Sequence, residues 1–346
     1  MHTTVIKVDP ENIKPGSLEP AARLLNAGSL VAFPTETVYG LGAIYRDEAA
    51  LRQIFVTKGR PTDNPLIVHI WQLAQLTGLV QKIEDKWQRL IETFWPGPLT
   101  LIFPKRATVP DLVTAGLATV AVRMPSHPVA RELLRLTKTP VAAPSANLSG
   151  KPSPTRAEHV LTDFREKIPL VVDGGSCQAG LESTVLMLDA GQPRILRPGA
   201  ITKEMLEATL NETVAVAAGG EVNRPQAPGM KYRHYAPKAP VLLVEGEKAK
   251  VVAHINALLQ EQRGSTKIVI ISSSETRSQY QTNLVLDLGP KGHLELAARR
   301  LYDLLRQCDA LEADRIIIEG VTETGIGAAI KNRLNNAAGG NVIRVS

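Results

Sequence analysis

Along its first 210 residues this chain repeatedly runs through a short apolar segment and then stops in hydroxyl, amide and glycine side chains. That rhythm leaves few folds open. Residues 30–33 lead into PTETVYGLG, residues 140–143 into PSANLSGKPSPT, and Glu182-Ser183-Thr184-Val185 repeats the chemistry. The apolar segments, at 30–33, 65–70, 99–103, 120–123, 140–143, 169–172 and 184–188, have the length of buried strands. Between them, residues 49–58, 87–95, 129–136 and 155–164 carry apolar side chains at helical spacing. Alternating strands and helices predict an α/β fold, and such sheets gather ligands in the loops at their strand ends.

A chain of 346 residues favours two domains over one. Residues 211–240 divide it: two adjacent glycines, several prolines and little apolar periodicity read as a long linker. That segment also carries Lys231, Tyr232, Arg233, His234 and Tyr235 in succession, so it is either a solvated tether or a functional loop. The expected organisation is a catalytic domain over 1–210, a linker or lid over 211–240, and a C-terminal domain over 241–346. In the last, strands at 241–244, 267–271, 284–288 and 315–318 alternate with helical stretches, which predicts a smaller three-layer, Rossmann-like α/β domain. Leu294, Ala297, Leu301, Leu304, Leu305 and Cys308 share one helical face, making Cys308 a core thiol. Gly325-Ile326-Gly327 lacks the last glycine of a dinucleotide fingerprint, which argues against a dinucleotide there.

Cys177 and Cys308 have no metal-site spacing, so neither a disulfide framework nor structural zinc is expected. The N-terminal residues lack the pattern of a signal peptide and no segment has the length of a membrane span, so a cytoplasmic protein without membrane association is expected. A net charge of +6, spread without a basic block, suits a phosphate-bearing small molecule better than a nucleic-acid duplex.

In KGRPTDNPL, residues 58–66, two prolines stiffen the backbone so that Lys58, Arg60 and Asn64 project from a nearly fixed loop. Two cations and an amide held this way grip phosphate oxygens; the alternative is a polar turn with exposed charges. Ser145, Asn147, Ser149 and Ser153 offer donors to phosphate or sugar oxygens, or else simply build Asx turns. Arg123 and Arg197 lie in apolar strands and must find an anion or reach solvent. His69 reads as a core or sheet-face histidine, with a substrate contact as the second reading. Glu36, Asp63, Glu182 and Asp173 are expected at the surface. No GxSxG elbow, P-loop, HExxH or reactive-cysteine setting occurs, so covalent catalysis is unsupported, whereas catalysis by positioning and by cations is open.

Taken in order, PTETVYGLG, Lys58-x-Arg60 with NPL after it, SxNxSG from Ser145, ESTV from Glu182, LRPG from Leu196 and PGMKYRHYAPKAP from Pro228 resemble the YrdC-like threonylcarbamoyl-adenylate synthases, in their long form with a C-terminal domain. The resemblance covers essentially the whole chain. It implies a twisted mixed sheet with a cationic hollow and a reaction in which L-threonine, bicarbonate or CO2 and ATP give L-threonylcarbamoyl-AMP and pyrophosphate. A separate threonylcarbamoyl transferase complex would then use the product to modify tRNA. By this resemblance threonine lies near Thr37, His69, Arg123, Ala143 and Ser183, with its carboxylate on Arg123, and Gly40 and Gly42 let the backbone bend around it. ATP lies against Lys58, Arg60, Asn64, Thr119, Ser145, Ser153 and Arg197, under a lid that includes Tyr235. Lys58, Arg60, Ser145 and Asn147 form the catalytic signature. Mg2+ is expected with ATP, its ligands unassigned, and no organic cofactor. Two other classes compete: an RNA-binding protein, weak tRNA binding being open even for the enzyme, and a carbamoyltransferase, for whose additional domain the chain has no room.

Overall fold

The structure is a computed structural model and describes residues 2–217, 234–261 and 266–346. They divide into two compact units: the first holds residues 2–149 and 153–217, and the second Gly150–Pro152 with residues 234–261 and 266–346.

The strands of the first unit are Thr4–Lys7 (β1), Val31–Phe33 (β2), Gly40–Ile44 (β3), Ile67–His69 (β4), Leu99–Pro104 (β5), Thr119–Arg123 (β6), Val141–Ala142 (β7), Leu170–Asp173 (β8), Thr184–Asp189 (β9), Gln192–Arg197 (β10) and Ala215–Val216 (β11). They join in the order β1-β8-β2-β3-β7-β4-β6-β5-β9-β10-β11. The sheet is mixed: β4 runs parallel to β6 and β5 to β9, while β7 is antiparallel to both β3 and β4. Its helices are Glu19–Asn26 (α1), Glu48–Lys58 (α2), Asp85–Phe94 (α3), Asp111–Thr114 (α4), Pro128–Thr137 (α5), Ala157–Phe164 (α6) and Lys203–Leu210 (α7).

Strand alternation sorts the apolar side chains onto two faces. Val31 and Phe33 of β2 pack with Ala21, Ala22 and Leu25 of α1 and with Val129 and Leu133 of α5, whereas Ala32 joins the larger core on the other side. Fully burying each leucine or phenylalanine contributes roughly 1.5–3 kcal/mol. In α2 the Asp47 side chain caps the N-terminus by accepting from the Ala50 N–H at 3.0 Å, and Gly59, at φ 58°, ends the helix. The buried stripe Ala50, Leu51, Ile54, Phe55 therefore closes on Lys58, a charged residue on the apolar face.

Several elements have no clear sequence signal. The first strand, β3, β11, α1 and α7 lie outside the expected segments, and the strand expected over 65–70 is only Ile67–His69. In β3 the glycines mask the strand. A Cβ on Gly42 would fall 2.7 Å from Val141 Cγ1 and 2.8 Å from Phe33 Cε1. Gly42 thus permits β3 to lie against its neighbours, a correction to the expectation that it wraps a ligand.

In the second unit Val241–Gly246 (β12), Ile268–Ser273 (β13), Val285–Gly289 (β14), Arg315–Glu319 (β15) and Val342–Val345 (β16) form a parallel sheet in the order β14-β13-β15-β12-β16. Lys248–Glu261 (α8) packs on the face that presents Leu242, Val244 and Ile317. Leu294–Ala310 (α9) and Gly327–Ala338 (α10) pack against each other, α9 on β14 and α10 on β12. Cys308 is fully buried, which pushes its thiol up to about 12 and leaves it an inert core group. The Gly325–Gly327 segment leads into α10 rather than following a first strand, so it has no dinucleotide-binding setting. No helix among the described residues is long and apolar enough to cross a membrane.

Candidate functional site

The last residue of β6, Arg123, is 3% exposed. A guanidinium this deep needs a partner, and it has several. Its Nη2 lies 2.8 Å from Glu36 Oε1, its Nη1 donates to Thr37 Oγ1 at 2.8 Å, and its Nε donates to the Gly97 carbonyl at 3.4 Å. Glu36 and Thr37 reach it because the segment after β2 turns on Thr35, whose hydroxyl donates to the Val38 carbonyl at 2.6 Å and accepts from the Thr37 and Val38 N–H groups at 3.2 Å. The hydroxyls that end β2 therefore build a rigid turn. Burial alone would raise the Glu36 carboxyl, but the charge and hydrogen bond of Arg123 outweigh it and hold the group below its usual range.

His69 is the register partner of Arg123 across β4 and β6 and is 4% exposed. Burial, and then the Arg123 charge, push its imidazole down to about 3, so it is neutral at ordinary pH. Its Nδ1 is 3.1 Å from the Ile67 carbonyl, which also accepts from the Ala143 N–H at 2.9 Å. On the other side, Leu101 pairs with Val122, and Thr100 and Arg123 flank that pair. Thr100 Oγ1 is 2.7 Å from Ser183 Oγ, and Arg197 Nη2 donates to the Ser183 carbonyl and hydroxyl at 3.1 and 3.2 Å. The ends of β2, β4, β6, β7, β9 and β10, with Thr100 of β5 as a link, thus bring Thr37, His69, Arg123, Ala143, Ser183 and Arg197 into one connected group. Gly199 fastens it, since a Cβ there would lie 2.3 Å from the Thr184 nitrogen and 2.6 Å from the Glu182 carbonyl.

The second group centres on Lys58. Only 2% exposed, its Nζ donates to the Ser145 carbonyl at 2.5 Å and to that of Asn147, while the Ser149 N–H donates to the Lys58 carbonyl at 2.9 Å. Ser145 bridges to Gly40, so this loop is tied to β3. Arg60 donates to the carbonyls of Asn64, at 3.1 Å, and Pro65, at 2.8 Å. Neither cation projects from the loop as expected; both turn back onto backbone carbonyls, which fixes their positions in advance. Asn64 is 2% exposed, and its Oδ1 is buried without a hydrogen-bond partner among the described residues. Extending the β4–β6 register by two residues sets Thr119 beside Pro65. The four residue steps from Thr119 to Arg123 separate these ends of the site by about 13 Å along β6.

Two surface expectations fail. Glu36 is 4% exposed and Glu182 is 6% exposed, the latter accepting from Ser153 Oγ at 2.5 Å. An arginine in an apolar strand called for an anionic partner; nothing in the one-dimensional pattern said that Glu36 would be it. The surface readings of Arg123 and Arg197 fall with them, both being buried. Asp63 and Asp173 stay partly exposed. Thr100, the hydroxyl joining Arg123's strand to Ser183, carries no sequence signal beyond its place in an apolar run.

Tyr235 belongs to the second unit, 5% exposed, with its ring 5.3 Å from that of Tyr302 and the Arg333 guanidinium 5.4 Å from its centroid. The expected linker residues Lys231, Tyr232 and Arg233, and the start of PGMKYRHYAPKAP, lie outside the described residues.

Buried guanidinium groups at strand ends and the buried Lys58 ammonium at the end of α2 define an α/β domain with preset cations beside one mixed sheet. Comparison with known proteins gives the particular family. Residues 23–199 match the Sua5/YciO/YrdC family model, described as telomere recombination, and residues 201–339 match the threonylcarbamoyl-AMP synthase C-terminal domain. The threonylcarbamoyl-AMP synthase of Pyrococcus abyssi is 46% identical over 345 residues, 99% of this chain and 100% of that protein. That of Bacillus subtilis is 48% identical over 327 residues, 94% of this chain and 93% of its own. The crystal structure of the Pyrococcus abyssi protein, Sua5, complexed with L-threonine superposes with a TM-score of 0.94 at 45% identity, covering 99% of this chain and 100% of that one. The chain belongs to the threonylcarbamoyl-AMP synthases. Both competing classes, the RNA-binding protein and the carbamoyltransferase, are thereby set aside.

Proposed function

We propose that the first unit carries the reacting groups on the two clusters described, with threonine at the Arg123 end and ATP along Lys58, Arg60, Asn64, Thr119, Ser145, Ser153 and Arg197, and that Tyr235 of the second unit contributes to a lid. The observation that carries this reading is the Arg123 cluster: a buried guanidinium preset by Glu36 and Thr37 within a chain that matches a threonine-binding relative along its length. Arg123 receives the threonine carboxylate, Thr37 and Ser183 offer hydroxyls, the Ala143 backbone closes one side, and His69 lines the pocket as a neutral ring. A neutral imidazole matters here, because a second cation beside Arg123 would repel the substrate's ammonium before it loses its proton.

The neutral amine of threonine adds to CO2, forming the N–C bond and releasing one proton to solvent. A carbamate oxygen then attacks the α-phosphorus of ATP, and the bond to the bridging oxygen breaks as pyrophosphate leaves. Lys58 and Arg60 act by charge and position on the triphosphate, and Ser145 and Asn147 hold Lys58 through their carbonyls. The carbamate is short-lived in water, which gives a lid including Tyr235 its chemical purpose. Among the described residues no group of three or more His, Cys, Asp or Glu side chains comes together, and Mg2+ bound with ATP would take its ligands largely from phosphate oxygens and water and would offset charge on the triphosphate. The product passes to a separate transferase complex that modifies tRNA, and we place the reaction in the cytoplasm, where these substrates meet.

Pyrophosphate release from ATP, measured with each component omitted in turn, tests the reading. Release should require both threonine and bicarbonate. Release with another amino acid in place of threonine, or without bicarbonate, would overturn it.

A further inference from the structure

The second unit has a cleft of its own. It lies at the C-terminal ends of the parallel strands, has a volume of about 320 Å³, and is bounded by the ends of β12, β13, β14 and β15, the start of α9 and Lys331 of α10. At β12 and β15, which are neighbours, the chain leaves the sheet on opposite faces, to α8 and to α10. A crevice between two such strand ends is where open parallel sheets bind ligands.

Its lining is specific. Glu319, 4% exposed, ends β15 with one carboxylate oxygen accepting from Tyr280 Oη and the other from the Ser273 N–H at 3.0 Å. Glu245 stands on the adjacent strand, 2.9 Å from Lys331 Nζ, and fits there because Gly320 has no Cβ: one would lie 2.9 Å from Glu245 Cγ. Opposite them, Leu288, Pro290, Leu294 and Ala297 make an apolar wall.

Charge decides what class of molecule fits. Within the lining Glu245, Glu319 and Glu323 face Lys291 and Lys331; Lys331 already pairs with both Glu245 and Glu323, and Arg344, which does not line the cleft, pairs with Glu245 Oε2 at 3.3 Å from outside it. Among the described residues no arginine lines the cleft, and at β12 a single residue, Glu247, separates the strand from α8, so that junction has no room for a phosphate-cradling turn. Carboxylates at strand ends take ribose hydroxyls in parallel-sheet domains, and a carboxylate with two lone-pair sites filled has two more to offer. The cavity is also larger than a free amino acid of threonine's size fills. We propose that this cleft binds a nucleoside without phosphate, its base against Leu294 and Ala297 and its vicinal hydroxyls on Glu319 and Glu245.

Hydrogen–deuterium exchange on the full-length protein separates this cleft from the first-unit site. Adenosine, guanosine, cytidine, uridine, AMP and L-threonine are each titrated while exchange is followed in peptides covering 287–297 and 319–323. At least one nucleoside should slow exchange there, and its 5′-monophosphate should need at least about tenfold more ligand for the same protection. Glu319→Gln should weaken the effect about tenfold. Thr322→Trp, at an exposed rim position and so compatible with folding, should abolish it. The proposal falls if no nucleoside protects these peptides, if AMP protects as well as adenosine, if threonine protects them instead, or if Thr322→Trp leaves the protection intact.

Discussion

Replacing Glu36 with glutamine keeps the shape of the Arg123 cluster and removes its negative charge, so it separates what the carboxylate does for the fold from what it does for the ligand. Breaking a buried ion pair by neutralising one partner costs about 3–5 kcal/mol because the other charge stays buried. Arg123 keeps its bonds to Thr37 Oγ1 and the Gly97 carbonyl, which argues for the low end, about 3 kcal/mol. For a unit of this size that lowers the first-unit Tm by roughly 6–12 °C. L-Threonine should have the opposite relation. In the parent protein an incoming carboxylate meets a guanidinium already neutralised by Glu36, and two carboxylates about 6 Å apart repel by about 3 kcal/mol at an effective dielectric of about 20. Glu36→Gln removes that repulsion but loosens the guanidinium, for a net tightening of about tenfold. The assay is thermal unfolding with and without saturating threonine. An unchanged Tm, or an identical threonine-induced shift in both proteins, would refute the reasoning.

Four further outcomes follow from the same contacts. Arg60→Ala should lower the rate of pyrophosphate release by on the order of 10²-fold or more, since it removes a charge held ready for the triphosphate by the Asn64 and Pro65 carbonyls; near-normal turnover would count against it. The folded protein cannot protonate His69 until about pH 3, whereas the unfolded chain takes up that proton below about 6.5, so stability is lost as pH falls through that window. Between pH 7 and 5 His69 should account for about 2 kcal/mol of the loss, and His69→Gln should flatten the Tm profile there. Gly199→Ala should destabilise the first unit by more than the usual surface substitution, because its Cβ meets backbone atoms of Glu182–Thr184 rather than a side chain that can move; a Tm within a degree of the parent would show that this turn can shift. Ending the chain before Gly219, within the stretch outside the described residues, should leave a folded first unit with poor pyrophosphate release, and full activity would show that the lid is dispensable.

Much of this architecture can be read along the chain, for reasons that differ from element to element. Runs such as 99–103 and 120–123 are apolar on both faces and so announce central strands, and the C-terminal domain shows because its strands and helices alternate cleanly. The segment Gly40–Ile44 does not, because the side-chain-free positions that let it pack against Phe33 and Val141 are the same ones that signal a loop. The site divides in the same way. Cations at the end of α2 and in the loop after it, and cations and hydroxyls at strand ends, mark Lys58, Arg60, Arg123, Ser145 and Ser183 by residue type, and the ordered motifs assign them to a family. Glu36, Glu182 and Thr100 escape because their importance comes from which strands adjoin: Glu36 meets Arg123 only when β2 and β6 are folded into one sheet. Pattern along a chain reports what each residue can do; the partner it does it with is a property of topology.

The most direct test of a guanidinium clamp on threonine is calorimetric titration with L-threonine and with L-threoninamide, against the parent protein and Arg123→Met. If Arg123 holds the carboxylate, the parent binds threonine at least about a hundredfold more tightly than the amide, and Arg123→Met removes that preference. Equal affinity for acid and amide, or a preference that survives in Arg123→Met, would contradict it.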